Sequence, residues 1–316
     1  MATTPVDSAT QAVRTMPSRA YMLLSFFAIY VVWGTTYLAI RYAVESIPPL
    51  LTAGFRHTAA GLVLFAVAWS RGYRPRRLDL LNGAILGFLF FFIGHGSLHW
   101  AEQYVSSGLA ALLVASEPIW ILLIGAALGQ EGINWLNGAG LLCGLAGVVI
   151  LTGGVGHGGH LWAAIAVLVG AASWALGVCI SPRLALPRDI LGRAAIPLIW
   201  GACFLLAAAA VSGEFSALHR TAISQRSLLA LGYLVVFGSI VAFTAYNWLL
   251  QHYSATLVAT HTFVNPLVAV LVGWLWAGEA LNARVAFATA AILAAIVLIQ
   301  RGDRHAELQA EAAQSD

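Results

Sequence analysis

The stretch Ser106–Asn134, SSGLAALLVASEPIWILLIGAALGQEGIN, aligns without a gap on Ser254–Asn282, SATLVATHTFVNPLVAVLVGWLWAGEALN. Identical residues fall at Ser106/Ser254, Leu109/Leu257, Ala111/Ala259, Pro118/Pro266, Leu123/Leu271, Gly125/Gly273, Glu131/Glu279 and Asn134/Asn282. Each copy reads as a long apolar helix with one proline near mid-span. Trp100, Gln103 and Ser106 match Trp248, Gln251 and Ser254 in the same register, so the repeat extends back into the preceding helices. Trp33 and Trp174 stand at comparable places further upstream, in looser local register.

The composition around this repeat is that of a membrane protein. Charged residues make up 9% of the chain, against about 25% in soluble domains. Apolar residues make up 60%, so most of the chain has no need of water. The net charge of +3 is spread over loops and gives no case for nucleic acid. Cys143, Cys179 and Cys203 sit in apolar runs without motif spacing and read as small packing residues. A bilayer core takes about 20 apolar residues per helix. The chain offers ten such runs, at 21–42, 50–70, 79–99, 105–129, 135–154, 161–181, 191–212, 228–250, 256–277 and 283–300.

All sixteen basic residues are arginine, and positively charged loops stay in the cytoplasm. With both termini inside, eleven arginines fall on the inner side: Arg14, Arg19, Arg71, Arg74, Arg76, Arg77, Arg183, Arg188, Arg193, Arg301 and Arg304. Only Arg220, Arg226 and Arg284 fall outside, while Arg41 and Arg56 lie within spans. Five helices per half is an odd number, so the second half enters the membrane from the opposite side. The expected architecture is an all-α membrane protein of ten transmembrane helices in two inverted five-helix repeats, 21–154 and 161–301. A 155–160 linker joins them, and cytoplasmic tails lie at 1–20 and 302–316. Such repeats place a site where the halves meet and where helices are interrupted, the design of a transporter that opens alternately to either face.

The run Ser107-Gly108-Leu109-Ala110-Ala111 with Pro118, Gly125, Glu131 and the glycine-rich stretch Gly138 to Gly154 is answered by Ala255, Ala259, Pro266, Gly273, Gly278 and Glu279. This pattern resembles the EamA family of the drug/metabolite transporter superfamily. The resemblance implies a ten-helix transporter without ATP, often an exporter of amino acids, other metabolites or toxic amphiphiles. One departure matters: Glu117-Pro118 in the first copy stands opposite Asn265-Pro266 in the second.

Proline inside a helix removes one N–H and frees a carbonyl, so breaks are expected at Pro118 and Pro266. A charged Glu117 near the bilayer centre costs about 2.5–3.5 kcal/mol, so it is protonated, paired or turned to a wet cavity. It reads as a proton-coupling or substrate-ammonium group, or as a neutral carboxyl bonding a broken helix. His261 and Asn265 share a helix face that repeat symmetry sets opposite Glu117, where the three would hold the ends of a zwitterion or simply bond between helices. His95, His99 and Glu102 form H-x3-H-x2-E on one face. That row suits a metal, but it is a single box among nine histidines; a polar stripe at the cavity or outer vestibule is the preferred reading, and no metal is expected.

Of the aromatics, Trp33, Tyr37, Trp100, Trp174, Tyr246 and Trp248 lie on the helices that the resemblance places around a cavity, and they suit apolar solute surface. Belts at the membrane interface account for most other tryptophans. Arg41 can snorkel outward, whereas Arg56 is left to pair with Glu45 or a substrate carboxylate. Gly140 and Gly144 form a GxxxG that favours close helix packing over a dimer contact. His157 and His160 read as part of a flexible connector.

The sequence therefore predicts a secondary transporter of the bacterial inner membrane, exporting amino acids or similar small metabolites. Alternatives are an exporter of cationic amphiphiles and, from another class, an intramembrane metalloenzyme on His95, His99 and Glu102. The expected partners are a small-molecule substrate and the lipid bilayer, as a monomer or weak homodimer. No cofactor is expected, and a chain without lysine carries no Walker motif. Reporter fusions after Arg77 and after Arg304 should both read as cytoplasmic and one within 155–160 as external; three fusions on one side would remove the inverted repeat.

Overall fold

The computed structural model describes residues 19–130, 134–152, 160–220, 223–253, 258 and 261–315. Among these residues the structure is helical and has no strands. Seven helices are long and apolar enough to cross a membrane: α1 Arg19–Val44, α2 Pro49–Ser70, α3 Arg77–Ala101, α4 Ser107–Ala127, α6 Leu161–Arg183, α7 Ile190–Val211 and α8 Gln225–His252. Between α4 and α6 lies α5, Trp135–Thr152. After α8 come α9, His261–Ala277, and α10, Ala283–Ser315. The apolar parts of α9 and α10 are shorter, Val264–Ala277 and Ala286–Ile299. A short helix, Glu214–Arg220, follows α7. The expected 1–20 tail falls outside the described residues up to residue 18, and the 155–160 linker up to residue 159.

Local chemistry sets the helix ends. Pro49 opens α2 in the first turn, where its missing N–H costs nothing. Ser106, Asp189 and Ser224 cap α4, α7 and α8 by accepting from Leu109 N at 3.2 Å, Gly192 N at 2.7 Å and Ser227 N at 3.1 Å. Gly72, Gly129, Gly213 and Gly278 take positive φ just beyond α2, α4, α7 and α9, which closes each helix with a left-handed residue. Past α4 and α9 the chain bonds back to the paired glycines Gly125 and Gly273: Gln130 N donates to Gly125 O at 2.9 Å, and Glu279 N, one residue further on in the repeat, to Gly273 O at 3.1 Å. The tail expected at 302–316 instead continues α10 to Ser315. Its Ala, Glu, Gln and Leu residues are strong helix formers, so nothing ends the helix at the membrane edge.

The helix bounds repeat along the chain. α2 and α7 are each 22 residues long and begin 141 residues apart, at Pro49 and Ile190. Gly72 and Gly213 keep that spacing, and so do Trp33 and Trp174. From α3 onward the spacing is 148, from Arg77 to Gln225 and from Trp135 to Ala283. The seven residues of Glu214–Arg220 make the difference. α3 and α8 also share a local irregularity, a π-helical stretch at Gly87–His95 and at Leu234–Val241, and α1 has a shorter one at Ala28–Val32. Such stretches loosen the hydrogen-bond ladder and concentrate at functional sites.

α2 packs along α7, and α5 along α10. Gly54 and Gly61 make room for Leu206 and Ile199, while Gly140 faces the Ala295 carbonyl and Ile299. The GxxxG of α5 is therefore a contact within the chain. At the α3–α7 crossing, a Cβ on Gly87 would lie 2.6 Å from the Pro197 carbonyl oxygen and 2.8 Å from Gly201 N, backbone atoms that cannot rotate away. Gly87→Val should therefore cost about 1–3 kcal/mol, read as a lowered thermal midpoint in detergent, whereas the same change at Gly138, which faces open space, should cost little.

Candidate functional site: a central cavity lined by Glu117 and Arg56

α4 is not continuous. Its first part ends at Val114, Ala115 and Ser116 form a turn, and the second part begins at Glu117-Pro118. The missing proline N–H makes this the natural place for the break, and the break brings the Glu117 carboxyl to the wall of a cavity. α9 behaves differently, because it runs unbroken through Pro266. Gly34 of α1 has no side chain there, so α9 packs closely on α1 at Val268 and the Asn265 carbonyl. The expected second break is thus absent.

The cavity holds about 680 Å³ of atom-free space, its open mouth included. α1 contributes Trp33, Thr36, Tyr37 and Ile40; α2 Arg56; α3 Gly94, His95 and Leu98; α4 Val114 and Glu117; α6 Val167, Gly170, Ala171 and Trp174; α9 His261 and Asn265. A smaller recess of about 210 Å³ continues beside it past Ala111, Ala115 and Pro266. Of the residues expected at a site, Trp33, Tyr37, His95, Glu117, Trp174, His261 and Asn265 meet here.

Four others do not line it. Trp100 is 37% exposed and packs on Tyr104, because one residue of helix turns it about 100° away from buried His99. Trp248 is buried at the end of α8, against Tyr21, His252 and Tyr253. Tyr246 stands behind Trp33, with ring centroids 5.1 Å apart. His99 lies behind His95, whose carbonyl accepts from His99 Nδ1 at 2.7 Å.

The aromatic wall is held by hydrogen bonds and ring contacts. Trp33 Nε1 donates to the Gly238 carbonyl at 3.0 Å, in the π-helical stretch of α8, and its ring meets the edge of His261 at 5.2 Å. Trp174 stacks on His95 at 5.4 Å and packs on Phe90 at 4.5 Å. With its amide nitrogen turned toward α1, Asn265 donates to the Ile29 and Tyr30 carbonyls at 2.8 Å each and accepts from His261 Nδ1 at 3.2 Å. Those carbonyls lie in the π-helical stretch of α1, where the ladder leaves acceptors to spare.

Arg56 was expected to pair with Glu45 or with a substrate carboxylate. Glu45, its expected partner, pairs with Arg226 at 3.6 Å. Arg56 is 2% exposed, its Nε donates to Ser239 Oγ at 2.8 Å, and its second terminal nitrogen Nη1 has no partner. A Cβ at Gly238 would lie 2.9 Å from the guanidinium, so this glycine makes the seat for it. No donor among the described residues reaches the Glu117 carboxyl, which is 7% exposed. One wall of the cavity thus offers a cation and another a carboxyl, with indole rings between. Among the described residues no three His, Cys, Asp or Glu side chains converge as a metal site requires.

Glu279 ties the chain beyond α9 to the start of α4. Its Oε1 accepts from Ser107 N and Ser107 Oγ, both at 2.8 Å, and its Oε2 from Gly108 N at 3.1 Å. A carboxylate at a helix N-terminus meets unpaired N–H groups and the positive end of the dipole. Gly273 leaves room for it, since a Cβ there would collide with the carboxylate. Arg41 reinforces the joint by donating to the Val105 carbonyl at 2.9 Å, with its Nε 3.8 Å from Glu279. The repeat mate, Glu131, lies outside the described residues.

A polytopic helical bundle around a polar cavity is the build of a membrane transporter. The chain belongs to the EamA-like transporter family, whose model matches residues 20–153 and again residues 161–301. It is 38% identical over 282 residues to the uncharacterized inner membrane transporter YedA of Escherichia coli K12, covering 88% of this chain and 90% of that one. It is 30% identical over 290 residues to the uncharacterized transporter YvbV of Bacillus subtilis, with 89% of each chain covered. A protein of known crystal structure shares the fold, with a TM-score of 0.63 at 24% identity over 89% of this chain and 98% of that one.

Glu279→Ala should strand three donors at the start of α4 and lower stability by about 2–3 kcal/mol. Glu279→Gln, which keeps one acceptor oxygen, should fall between, as measured by thermal denaturation in detergent. Equal midpoints for all three proteins would dismiss the cap.

Proposed function

We propose that this protein is a secondary transporter of the inner membrane that exports amino acids or similar small metabolites by alternating access, and that it is not an enzyme. The observation that carries the substrate class is that Glu117 and Arg56, whose Nη1 has no partner, line one cavity. A zwitterion presents an ammonium and a carboxylate together; Glu117 suits the first and the Arg56 fork the second. Trp33, Tyr37 and Trp174 suit an apolar side chain, and His261 and Asn265 complete the wall.

Ten spans in two inverted five-helix repeats complete this reading, with both termini in the cytoplasm. Its support is the double match to one family model, the shared helix bounds and the paired glycine closures. The π-helical stretches of α1, α3 and α8 and the break at Glu117 are weak points at which one half can rock on the other. The inner-membrane location is supported by the similarity to YedA.

The test is uptake of a panel of labelled amino acids into proteoliposomes, with and without a pH gradient, by wild type and Glu117→Gln. Wild type should carry at least one zwitterionic amino acid. Glu117→Gln should lower that flux about tenfold or more and flatten its pH dependence at nearly unchanged thermal stability. Undiminished, pH-dependent flux in the variant would free Glu117 of any coupling role. Transport of quaternary ammonium dyes but of no amino acid would favour the cationic-amphiphile alternative.

A further inference from the structure

Behind the cavity wall lies a second polar cluster, of which the proposed substrate site uses Arg56 alone. Arg56 and His57 of α2 meet His95 and His99 of α3, and Glu102, the residue just past the end of α3, neighbours Arg56. His57 and His99 are fully buried, and Glu102 is 2% exposed. His95 faces the cavity, and its Nδ1 lies 3.0 Å from His57 Nε2, so one proton is shared between the two rings. His99 donates its Nδ1–H to the His95 carbonyl, which leaves Nε2 as a bare acceptor. Arg56 Nη1, His57 Nδ1, His99 Nε2 and both Glu102 oxygens are buried without a well-formed hydrogen bond. These five atoms lie around Arg56, which neighbours both Glu102 and the three imidazoles; they are costly unless water reaches them, and a polar pocket between two helices is where buried water resides.

The second half of the chain lacks this cluster. At the repeat spacings, Pro197 stands for Arg56, Leu198 for His57, Phe243 for His95 and Leu250 for Glu102. Only His99 has a polar counterpart, Asn247, which bonds the Phe243 carbonyl at 2.9 Å just as His99 bonds that of His95. Apolar residues thus suffice to build the corresponding part of the other half, and the polar set in the first half needs a purpose other than packing.

We infer that His95, His57, His99 and Glu102, with intervening water, form a proton-transfer path between the central cavity and the α3–α4 end of the bundle. The inference rests on the reading of the chain as a secondary transporter, and it names the coupling ion as a proton. A proton binds a Glu102 oxygen, passes through water to the imidazoles, and crosses from His57 Nε2 to His95 Nδ1 on the way to the cavity. Each step breaks one N–H or O–H bond as it forms another, and the path runs equally in reverse. The groups facing Glu102 are Tyr37 and Arg41 of α1, Arg56 of α2 and Glu279 beyond α9. Those facing the histidines are Arg56 and the other two rings.

Two measurements test the path. The first needs no substrate: a protonated His95 should quench the indole of Trp174 stacked on it, so tryptophan fluorescence of the purified protein should titrate with pH, and Trp174→Phe should remove that transition. Glu102→Gln should shift its midpoint by about one pH unit, as expected for linked sites. The second uses a mixture of ¹⁴C-labelled amino acids in proteoliposomes. In Glu102→Gln and His57→Gln, accumulation driven by a pH gradient should fall about tenfold or more, while exchange at equal pH stays within about twofold of wild type. Unchanged accumulation, or accumulation and exchange falling together, would overturn the path, as would a Trp174 signal indifferent to Glu102. Absence of any amino-acid exchange in the wild type would count against the substrate class alone, because the fluorescence titration still decides the path.

Discussion

Hydrocarbon offers no hydrogen-bond partner, and this constraint orders the whole molecule. Every backbone N–H and C=O must be satisfied within a helix, and every polar side chain must face another helix or a wet space. The chain meets the first demand with long apolar helices and meets the second by gathering its intramembrane polar residues on inner faces. Where the backbone departs from the α-helix, a side chain or a close neighbour takes up the slack. The Asn265 amide covers the Ile29 and Tyr30 carbonyls, the Trp33 indole covers the Gly238 carbonyl, and the Glu279 carboxylate covers the opening turn of α4.

Several paired positions have diverged in the same physical sense. Glu117 and Asn265 both line the cavity, yet one is a carboxyl at a helix break and the other an amide in an unbroken helix. Trp33 and Trp174 both line it as well, one anchored to α8 and the other stacked on His95. The first half carries Arg56, His57, His95 and Glu102, whereas the corresponding positions of the second half carry a proline, two leucines and a phenylalanine.

Much of this was legible in the chain. Hydropathy located the helices to within a few residues except at the end of α10, which runs on to Ser315, and the ungapped repeat singled out the prolines, Gly273 and Glu279. Proline beside a carboxylate pointed to the break in α4. Legibility failed where side-chain direction mattered. Trp100 and His99 are neighbours in sequence, and a turn of about 100° between them puts one outside and the other in the interior. Arg56 read as a partner of Glu45 or of a substrate carboxylate, and Glu45 takes Arg226 instead. The loose register of Trp33 against Trp174 has a simple source in the seven residues of Glu214–Arg220, which change the spacing from 141 to 148.

The sequence by itself determined that this is a polytopic helical membrane protein with an internal repeat and polar residues set deep in its helices, because hydrophobicity, proline chemistry and helix caps are local properties. Only the tertiary structure decided which of those polar residues share a cavity. Helix rotation, the close approaches allowed by glycines such as Gly34, Gly87 and Gly238, and the π-helical stretches in α1, α3 and α8 set the facing of each side chain. Those depend on what each helix packs against, which no single segment encodes.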